Sequence, residues 1–481
     1  MVAFILVFLF LVAGASGHMT ASEIEAQGLS ASPRFLFDLH ETTRSKDGNS
    51  GGGDVTDVTD TFVSRPFSLR PGDVLNSLPW ETTLKMPKGP LAIRGFHAEI
   101  VDENNASVPL SSVYLHHWLV FPILPNRTDP HGPPTLLPNA GPCRDLPQMF
   151  GIGAESRGTP VTLKAPYAVT TSGDEVWLAN VHILRTDNVS DVQACIECHC
   201  QPDGTTGGVA CCTDGTHCVT HYDPFVSESV QPSPPVPPHL RAPRPQNLFG
   251  QGPHPKEYRL KYSVTYGRIT PETKPVRVVV VDVIQCRIEY DVPPCHQTHT
   301  HHDADAAVNA LRGLEGGAVG DGDASPDCVD VKEVTMTTGR EMEIAYIRGH
   351  IHIGSINVTL ELPQTRDDFC VTPALYGTQP DAPGDELGYV SRIAPCVYEE
   401  GERVIPANTE MRMRVFYKRD RAYAGVMGIM IMLSHVKGDY GTSTYNRRHD
   451  VLTYKNDTRP PHTRYTYNNG DETAGLGDVF V

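Results

Sequence analysis

The sequence predicts an all-β protein with two antiparallel β-sandwich domains in tandem. Gly (42) and Pro (41) are abundant among the 481 residues, which is typical of many short strands joined by tight turns. Segments such as GPLAIRGFHAEIV and SVYLHHWLVFPIL place alternating apolar residues between turn signals, as the strands of a sandwich do. The chain is longer than one hydrophobic core usually serves, so two domains are expected.

The first 17 residues, MVAFILVFLFLVAGASG, form an uncharged apolar run that ends in small residues. This pattern predicts a secretory signal peptide over residues 1–17, cleaved near Ala15 or Gly17. No later segment approaches the roughly 20 apolar residues of a spanning helix, so we expect no transmembrane span. The 12 cysteines agree with a secreted protein, because disulfides persist in oxidising compartments. Sequons predict glycosylation at Asn105, Asn126, Asn188, Asn357 and Asn456.

The formal net charge of −17 and the lack of a basic cluster argue against a nucleic-acid partner. Composition also divides the chain into segments. Residues 18–60 contain few periodic apolar residues and include SKDGNSGGGD, which predicts a flexible leader. The remaining segments are predicted as an N-terminal sandwich (61–192), a Cys-rich knob (193–222), a Pro-rich linker (223–254), a C-terminal sandwich (255–438) and a polar tail (439–481).

The Cys-rich segment holds an even number of crowded cysteines in a predicted secreted chain: Cys195, Cys198, Cys200, Cys211, Cys212 and Cys218. Too few apolar residues surround them to make a core, so a small disulfide-stapled knob is the favoured interpretation. A zinc site that uses CxxC with His199 or His217 is the alternative. The pairing cannot be deduced from the spacing.

Two histidines begin the predicted strand IRGHIHIGSINVTL. Successive side chains of a strand alternate between its faces, so His350 and His352 point the same way and are spaced to close on one metal ion. The later strand AYAGVMGIMIML offers thioethers, which favour Cu(I). The alternative is a pair of structural histidines beside a methionine-filled core.

Two further candidates are adjacent in sequence. His116 and His117 lie in SVYLHHWLVFPIL, where neighbouring residues of a regular strand face opposite sides. Both can serve one metal only if a bulge or a strand end intervenes. His182 lies in the apolar strand EVWLANVHILRT and, taken alone, is more typical of a core histidine than of a ligand.

A third histidine string, His299 to His302, lies in a segment rich in Asp, Gly and Ala. That segment lacks apolar alternation, and metal sites need rigid supporting residues. We therefore assign the string to a loop that can bind metal adventitiously and not to the main site.

The motifs LHHWLVF, NVHIL, RGHIHIG and GVMGIMIML occur in one order along the chain. This order resembles the copper type II, ascorbate-dependent monooxygenases, the peptidylglycine α-hydroxylating and dopamine β-monooxygenases. More closely, YLHHW, the CxxCxC block and GVMG resemble the plant stress-up-regulated nodulin family. The resemblance covers about Phe62 to His435 in islands. It implies that each sandwich is jelly-roll-like and that substrate binds in the cleft between the two.

The resemblance further implies two copper ions per chain. One would be bound by His116, His117 and His182, and the other, which meets O₂, by His350, His352 and Met427. Ascorbate or another one-electron donor would be the reductant, and a C–H bond of a small or peptide-like substrate would be hydroxylated. The sequence also offers Met411 and Met413 as thioethers, whereas Met430 and Met432 are expected in the core.

Arg348 occupies the position at which the peptide enzymes hold a substrate carboxylate, so it is the candidate substrate-binding residue. Pairing with a neighbouring Asp or Glu is the alternative. The family's polar residues after the methionine are replaced by Ile429 and Ile431, which favours an apolar or phenolic substrate. Two other classes stay open: a non-catalytic copper-binding or stress-associated wall glycoprotein, and a structural adhesion module.

Overall fold

The computed structural model describes most of the chain from residue 39 to residue 457. The described residues are 39–46, 57–77, 82–126, 134–137, 139–143, 146, 149–197, 218, 254–295, 328–365, 367–438 and 451–457. The predicted signal peptide, most of the Cys-rich knob, nearly all of the linker and the His299 to His302 string lie outside them. Within the described ranges, no helix is long and apolar enough to cross a membrane.

The regular secondary structure of the described residues is almost entirely β-strand, which confirms the predicted all-β class. The strands are β1 (Leu39–Lys46), β2 (Val58–Ser64), β3 (Phe67–Leu69), β4 (Val74–Asn76), β5 (Thr83–Leu84), β6 (Ala92–Asp102), β7 (Val113–Leu124), β8 (Thr135–Leu136), β9 (Phe150–Ile152), β10 (Val161–Thr162), β11 (Tyr167–Thr170), β12 (Val176–Arg185), β13 (Lys256–Gly267), β14 (Lys274–Pro275), β15 (Arg277–Asp282), β16 (Glu289–Val292), β17 (Val329–Thr338), β18 (Met342–Ile351), β19 (Ser355–Leu362), β20 (Asp367–Tyr376), β21 (Val390–Ile393), β22 (Cys396–Val397), β23 (Val404–Ile405), β24 (Glu410–Lys418), β25 (Tyr423–Val436) and β26 (Leu452–Tyr454). A 3₁₀ turn, Ala154–Arg157, and one short helix, α1 (Val192–Ile196), interrupt them.

The N-terminal sandwich consists of two sheets. One has the order β1-β2-β13-β6-β11-β14, with β3 and β10 paired beside it, and the other has the order β4-β12-β7-β8, with β5 and β9. Their facing sides meet in an apolar core, in which Phe96 stacks on Phe150 with ring centroids 4.7 Å apart. Trp118 packs edge-on against Phe96 and is fully buried. The core therefore holds β7 and its histidines on a rigid sheet.

The C-terminal sandwich also has two sheets. Their orders are β15-β25-β18-β22, with β16 and β23 beside them, and β21-β20-β19-β24-β17-β26. Met411, Met413, Met430 and Met432 are all fully buried in the core between these sheets. This confirms the expectation that Met430 and Met432 pack in the core, and it gives Met411 and Met413 the same structural role. The tandem pair of antiparallel sandwiches is thus as predicted.

The boundary between the sandwiches differs from the predicted one at residue 255. β13 follows the Pro-rich linker but pairs with β2 and β6 of the N-terminal sandwich. Its alternate residues Tyr258, Leu260, Tyr262 and Val264 are buried in that core. The chain therefore returns to complete the first sandwich, and the second begins at β15. The alternation of apolar and polar residues predicts a strand, but it does not predict which sheet the strand joins.

The predicted flexible leader and the predicted polar tail each contain a strand. β1 lies within the predicted leader and pairs antiparallel with β2 over most of its length. β26 lies within the predicted polar tail, pairs with β17 and buries Leu452. The Tyr454 hydroxyl donates to the carbonyl of Asp282 and accepts from the Asp282 backbone N–H. Short pairing segments such as these carry too little apolar pattern to be recognised in the sequence.

Four disulfides are formed among the described cysteines: Cys143–Cys286, Cys195–Cys218, Cys295–Cys328 and Cys370–Cys396. The pair Cys195–Cys218 engages Cys195, the first cysteine of the CxxC, and so takes it out of the alternative zinc site. Cys143–Cys286 links the first sandwich to the second, which ties the two domains covalently. Oxidised pairs of this kind are compatible with a secreted protein.

Candidate metal centre

A β-bulge brings the adjacent histidines of β7 to one place. β7 and β12 are paired with His117 opposite His182 and Leu115 opposite Ile183, so His116 has no partner in the ladder. The extra residue shifts the alternation, and both His116 and His117 turn toward His182. The backbone therefore contains the bulge that adjacent histidines need in order to serve one metal ion.

The three imidazoles are spaced as metal ligands are. One nitrogen from each of His116, His117 and His182 lies within 4.8 Å of the others. The Nδ1 atoms of His116 and His117 are 3.3 Å apart, which matches the separation of about 3.3–3.4 Å between two nitrogens bound at about 2.0–2.1 Å to a tetrahedral ion. All three side chains are buried, with 3%, 3% and 0% exposure. The group is therefore a candidate metal site.

Asn180 fixes the orientation of His117. The Asn180 amide nitrogen donates to the Asn76 side-chain oxygen and to the carbonyl of Ser77, so its oxygen is the atom that faces His117. His117 Nε2 donates to that oxygen over 2.5 Å, which leaves Nδ1 as the nitrogen with a free lone pair. The only sequence signal for Asn180 is its i, i+2 spacing from His182 on a buried strand.

Burial keeps most of these imidazoles neutral at physiological pH. Desolvation, reinforced by the neighbouring histidines, lowers the pKa of His116 and of His182 well below the ordinary value. Burial also lowers the pKa of His117 to about 4 and that of His352 to about 3. Neutral imidazole is the form that binds a metal ion.

His350 near the end of β18 and His352 just after it lie on the same side, as the alternation predicted. The ring centroids of His350 and His352 are 5.4 Å apart. His350 lies opposite Ile429 of β25 and Ile351 opposite Gly428, so the next position on the same face of β25 is Met427. Met430 lies on the opposite face, fully buried in the core. The register therefore places Met427, rather than its neighbours, beside the histidine pair.

Oxygen acceptors hold both rings of this pair through Nδ1. His350 Nδ1 lies 3.1 Å from a carboxylate oxygen of Glu155, and His352 Nδ1 lies 3.1 Å from the carbonyl of Gly425. Nε2 of His352 is buried and has no hydrogen-bond partner among the described residues. A buried nitrogen in this state is costly unless it binds a further group, as a metal ligand does.

The two sets of histidines touch each other across the domain interface. The ring centroids of His116 and His352 are 5.1 Å apart, and the two rings are in edge-to-face contact. The five residues His116, His117, His182, His350 and His352 thus form one continuous group, which we call the histidine cluster. The resemblance implied ligands on two rims of an open cleft, and in this structure the two rims are in contact at the cluster.

The profile of the family described as stress up-regulated Nod 19 matches residues 56–229 and 245–435. The chain belongs to the stress up-regulated Nod 19 family. No protein of curated function matches it. The solved structures that resemble it include the VP2 subviral particle of infectious bursal disease virus, at 10% identity over 88% of this chain and 80% of that chain, with a TM-score of 0.17.

Two further solved structures are similarly distant. A variant of oxalate decarboxylase from Bacillus subtilis is 7% identical over 90% of this chain and 93% of its own, with a TM-score of 0.13. The coconut allergen cocosin is 9% identical over 79% of this chain and 77% of its own, with a TM-score of 0.12. Because all three TM-scores are this low, we infer nothing about this Nod 19 family chain from these structures.

Arg348 is engaged by an acidic partner, which was the alternative to a role in substrate binding. Its side chain is 1% exposed, and Nη1 lies 3.6 Å from Glu155. Although burial opposes ionisation of Glu155, the neighbouring His350 and Arg348 outweigh it and lower the pKa of this carboxyl to about 2. Glu155 lies on the Ala154–Arg157 turn of the first sandwich, and nothing in its local sequence marks it.

One of the predicted glycosylation sites, Asn357, is incompatible with the fold of this Nod 19 family chain. Asn357 lies in β19 with 1% exposure, so a glycan at this position does not fit the folded domain. Asn105, Asn188 and Asn456 are exposed, and Asn126 is half-buried. Glycosylation at these four positions stays a prediction.

The depressed histidine pKa values predict how the metal-free protein responds to acid. An unfolded histidine takes up a proton near pH 6.5, whereas folded His117 resists it to about pH 4, so lowering the pH favours the unfolded state through this window. The substitution His117→Asn removes this group. Between pH 7 and pH 5 the free energy of unfolding should therefore fall by about 2 kcal/mol less in the variant than in the wild type. Urea denaturation across this range measures it.

The matched control is His254→Asn, which removes an exposed imidazole. Equal pH slopes for the wild-type chain and the His117→Asn variant would contradict the burial of a neutral imidazole at this position.

Proposed function

We propose that the histidine cluster binds copper and that the chain is a secreted copper- and ascorbate-dependent monooxygenase-like protein. The observation that supports it best is the convergence of five imidazoles from both sandwiches, with His116 and His117 turned together by a bulge. The nitrogens match the preference of copper for imidazole, and Met427 adds a soft thioether that favours the cuprous state. When bound, copper would supply one-electron chemistry and reactivity toward O₂.

The protein's own contribution is to hold and orient the donors. His116, His117 and His182 would form one ligand set, and His350, His352 and Met427 the other, as the resemblance implied. Asn180 and the Gly425 carbonyl fix the ring nitrogens of His117 and His352, and such outer partners typically set ligand orientation and basicity. Burial of the donors limits access of water to both sets.

The substrate class proposed here is a small, largely apolar or phenolic molecule. Ile429 and Ile431 share the face of β25 that lies beside His350 and Arg348, so the surroundings of the second ligand set are apolar on this side. Arg348 is the candidate anchor for a substrate carboxylate, but its side chain is 1% exposed and already lies beside the Glu155 carboxylate. A peptide carboxylate is therefore the less favoured substrate group.

A second candidate is a non-catalytic copper-binding extracellular glycoprotein. The observation that favours it is the burial of the cluster, in which His116, His117, His182 and His350 are each at most 8% exposed. A centre closed in this way would hold copper tightly while admitting a substrate poorly. Both candidate functions require copper binding, but only the monooxygenase-like function includes catalytic turnover.

Copper content tests the metal itself. The purified secreted chain should hold two copper ions, and we expect His116→Ala to lose one and Met427→Ile to lose the other, because each removes a donor from a different ligand set. Elemental analysis after dialysis against a weak chelator measures both. Met430→Ile is the matched control, since it makes the same substitution on the core face of β25. A wild-type chain without tightly bound copper would overturn both candidates.

Oxygen consumption separates the candidates. With ascorbate and a panel of phenolic substrates, the copper-loaded chain should take up O₂ above the rate of free copper. His350→Ala should abolish this uptake, since it removes a donor from the set proposed to meet O₂, while circular dichroism shows unchanged folding. Uptake that persists in His350→Ala refutes the site assignment, and a copper-loaded chain without uptake favours the non-catalytic candidate.

A further inference from the structure

Glu155 reaches the second ligand set from the other domain. It lies on the 3₁₀ turn Ala154–Arg157 of the N-terminal sandwich, and its side chain is 2% exposed. Its carboxylate oxygen is 3.1 Å from Nδ1 of His350, which belongs to β18 of the C-terminal sandwich. The first sandwich thus supplies a contact to a histidine that the second sandwich carries.

Gly153 makes room for this approach. A Cβ atom at this position would lie 2.8 Å from the carbonyl oxygen of His116, 2.8 Å from Cε1 of His350 and 2.9 Å from Glu155 Oε2. Real Cβ atoms do not approach backbone or packed rings so closely, so a larger residue would push the turn away from both ligand sets. Glycine is needed here for space, since its φ of −139° is open to any residue.

The turn is also anchored from its other end. Arg157 donates to the carbonyl of Val108 over 2.7 Å and to the buried carboxylate of Glu386 over 2.9 Å. Glu386 belongs to the second sandwich and also accepts from the backbone N–H of Leu110. These contacts fix the turn between the domains and hold Glu155 at one distance from His350.

The hydrogen bond decides which nitrogen of His350 is available. When Nδ1–H donates to the Glu155 carboxylate, Nε2 carries the lone pair and becomes the ligand atom. His352 follows the same scheme with the Gly425 carbonyl as acceptor. A carboxylate is the stronger acceptor of the two and raises the basicity of the ring it holds.

We propose that Glu155 is a positioning residue that orients His350 as an Nε2 ligand, so that the second ligand set is complete only when the two sandwiches are docked. This inference rests on the proposed copper function and adds a residue that the family motifs do not contain. Glu155 acts through His350 and donates no atom to the metal.

Copper binding by the full-length chain tests this role. Glu155→Ala should weaken one of the two copper ions about 10–100-fold, in line with the loss of other outer-sphere partners, and should change the Cu(II) electron paramagnetic resonance signal of that site alone. Glu155→Gln keeps a carbonyl oxygen that accepts from Nδ1, so it should recover most of the affinity. Competition with a calibrated chelator and the resonance spectrum provide the two readouts.

Glu361→Ala is the matched control, because this buried carboxylate pairs with Arg412 and Arg414 of β24 and, among the described residues, contacts neither the turn nor a histidine. It should leave both copper affinities and both signals as in the wild type. The inference fails if Glu155→Ala keeps both coppers with unchanged affinity and spectrum, or if Glu361→Ala produces the same loss. A wild-type chain that binds no copper overturns the proposed function and this inference together.

Discussion

The candidate site depends on one irregularity in a β-ladder. Regular pairing of β7 and β12 would send the side chains of His116 and His117 to opposite faces, and one of them would enter the core beside Trp118. The single extra residue at His116 keeps the apolar register of the strand on both sides and turns two adjacent imidazoles toward His182. A bulge costs a ladder hydrogen bond, and the metal binding proposed for the two imidazoles would offset part of that cost.

The second constraint is the close docking of the two sandwiches. The Cys143–Cys286 disulfide, the Glu386 contacts and the turn that carries Glu155 all cross the interface. They bring the His116 ring against the His352 ring, and this contact makes one cluster out of two ligand sets. These ties oppose the relative motion that neighbouring domains otherwise show, so the fold itself brings the two ligand sets together.

Part of this arrangement follows from sequence alone. The i, i+2 spacing of His350 and His352 predicts a shared strand face, and the β18 to β25 register agrees with the choice of Met427 over Met430. The requirement for a bulge at His116 also follows from strand periodicity. These are local rules, and they hold wherever the strand itself is regular.

The remaining features depend on contacts between distant segments. Glu155 is 195 residues from His350 in sequence and has no periodic signal. β13 joins the first sandwich after a long linker, and no local pattern states which sheet receives it. Asn357 forms a sequon, yet its burial is decided by pairing of β19 with β20 and β24. Tertiary placement of this kind is set by packing of the whole chain.

X-ray absorption spectroscopy of the Cu(I)-loaded full-length chain tests the central claim most directly. If the cluster is the copper site, the spectrum will show imidazole nitrogens at about 2.0 Å with the outer-shell scattering of histidine rings. It will also contain scattering from a thioether sulfur at a longer copper–ligand distance, and this contribution will disappear in Met427→Ile. Copper bound by oxygen donors without imidazole scattering, or a sulfur contribution unaffected by that substitution, would contradict the account.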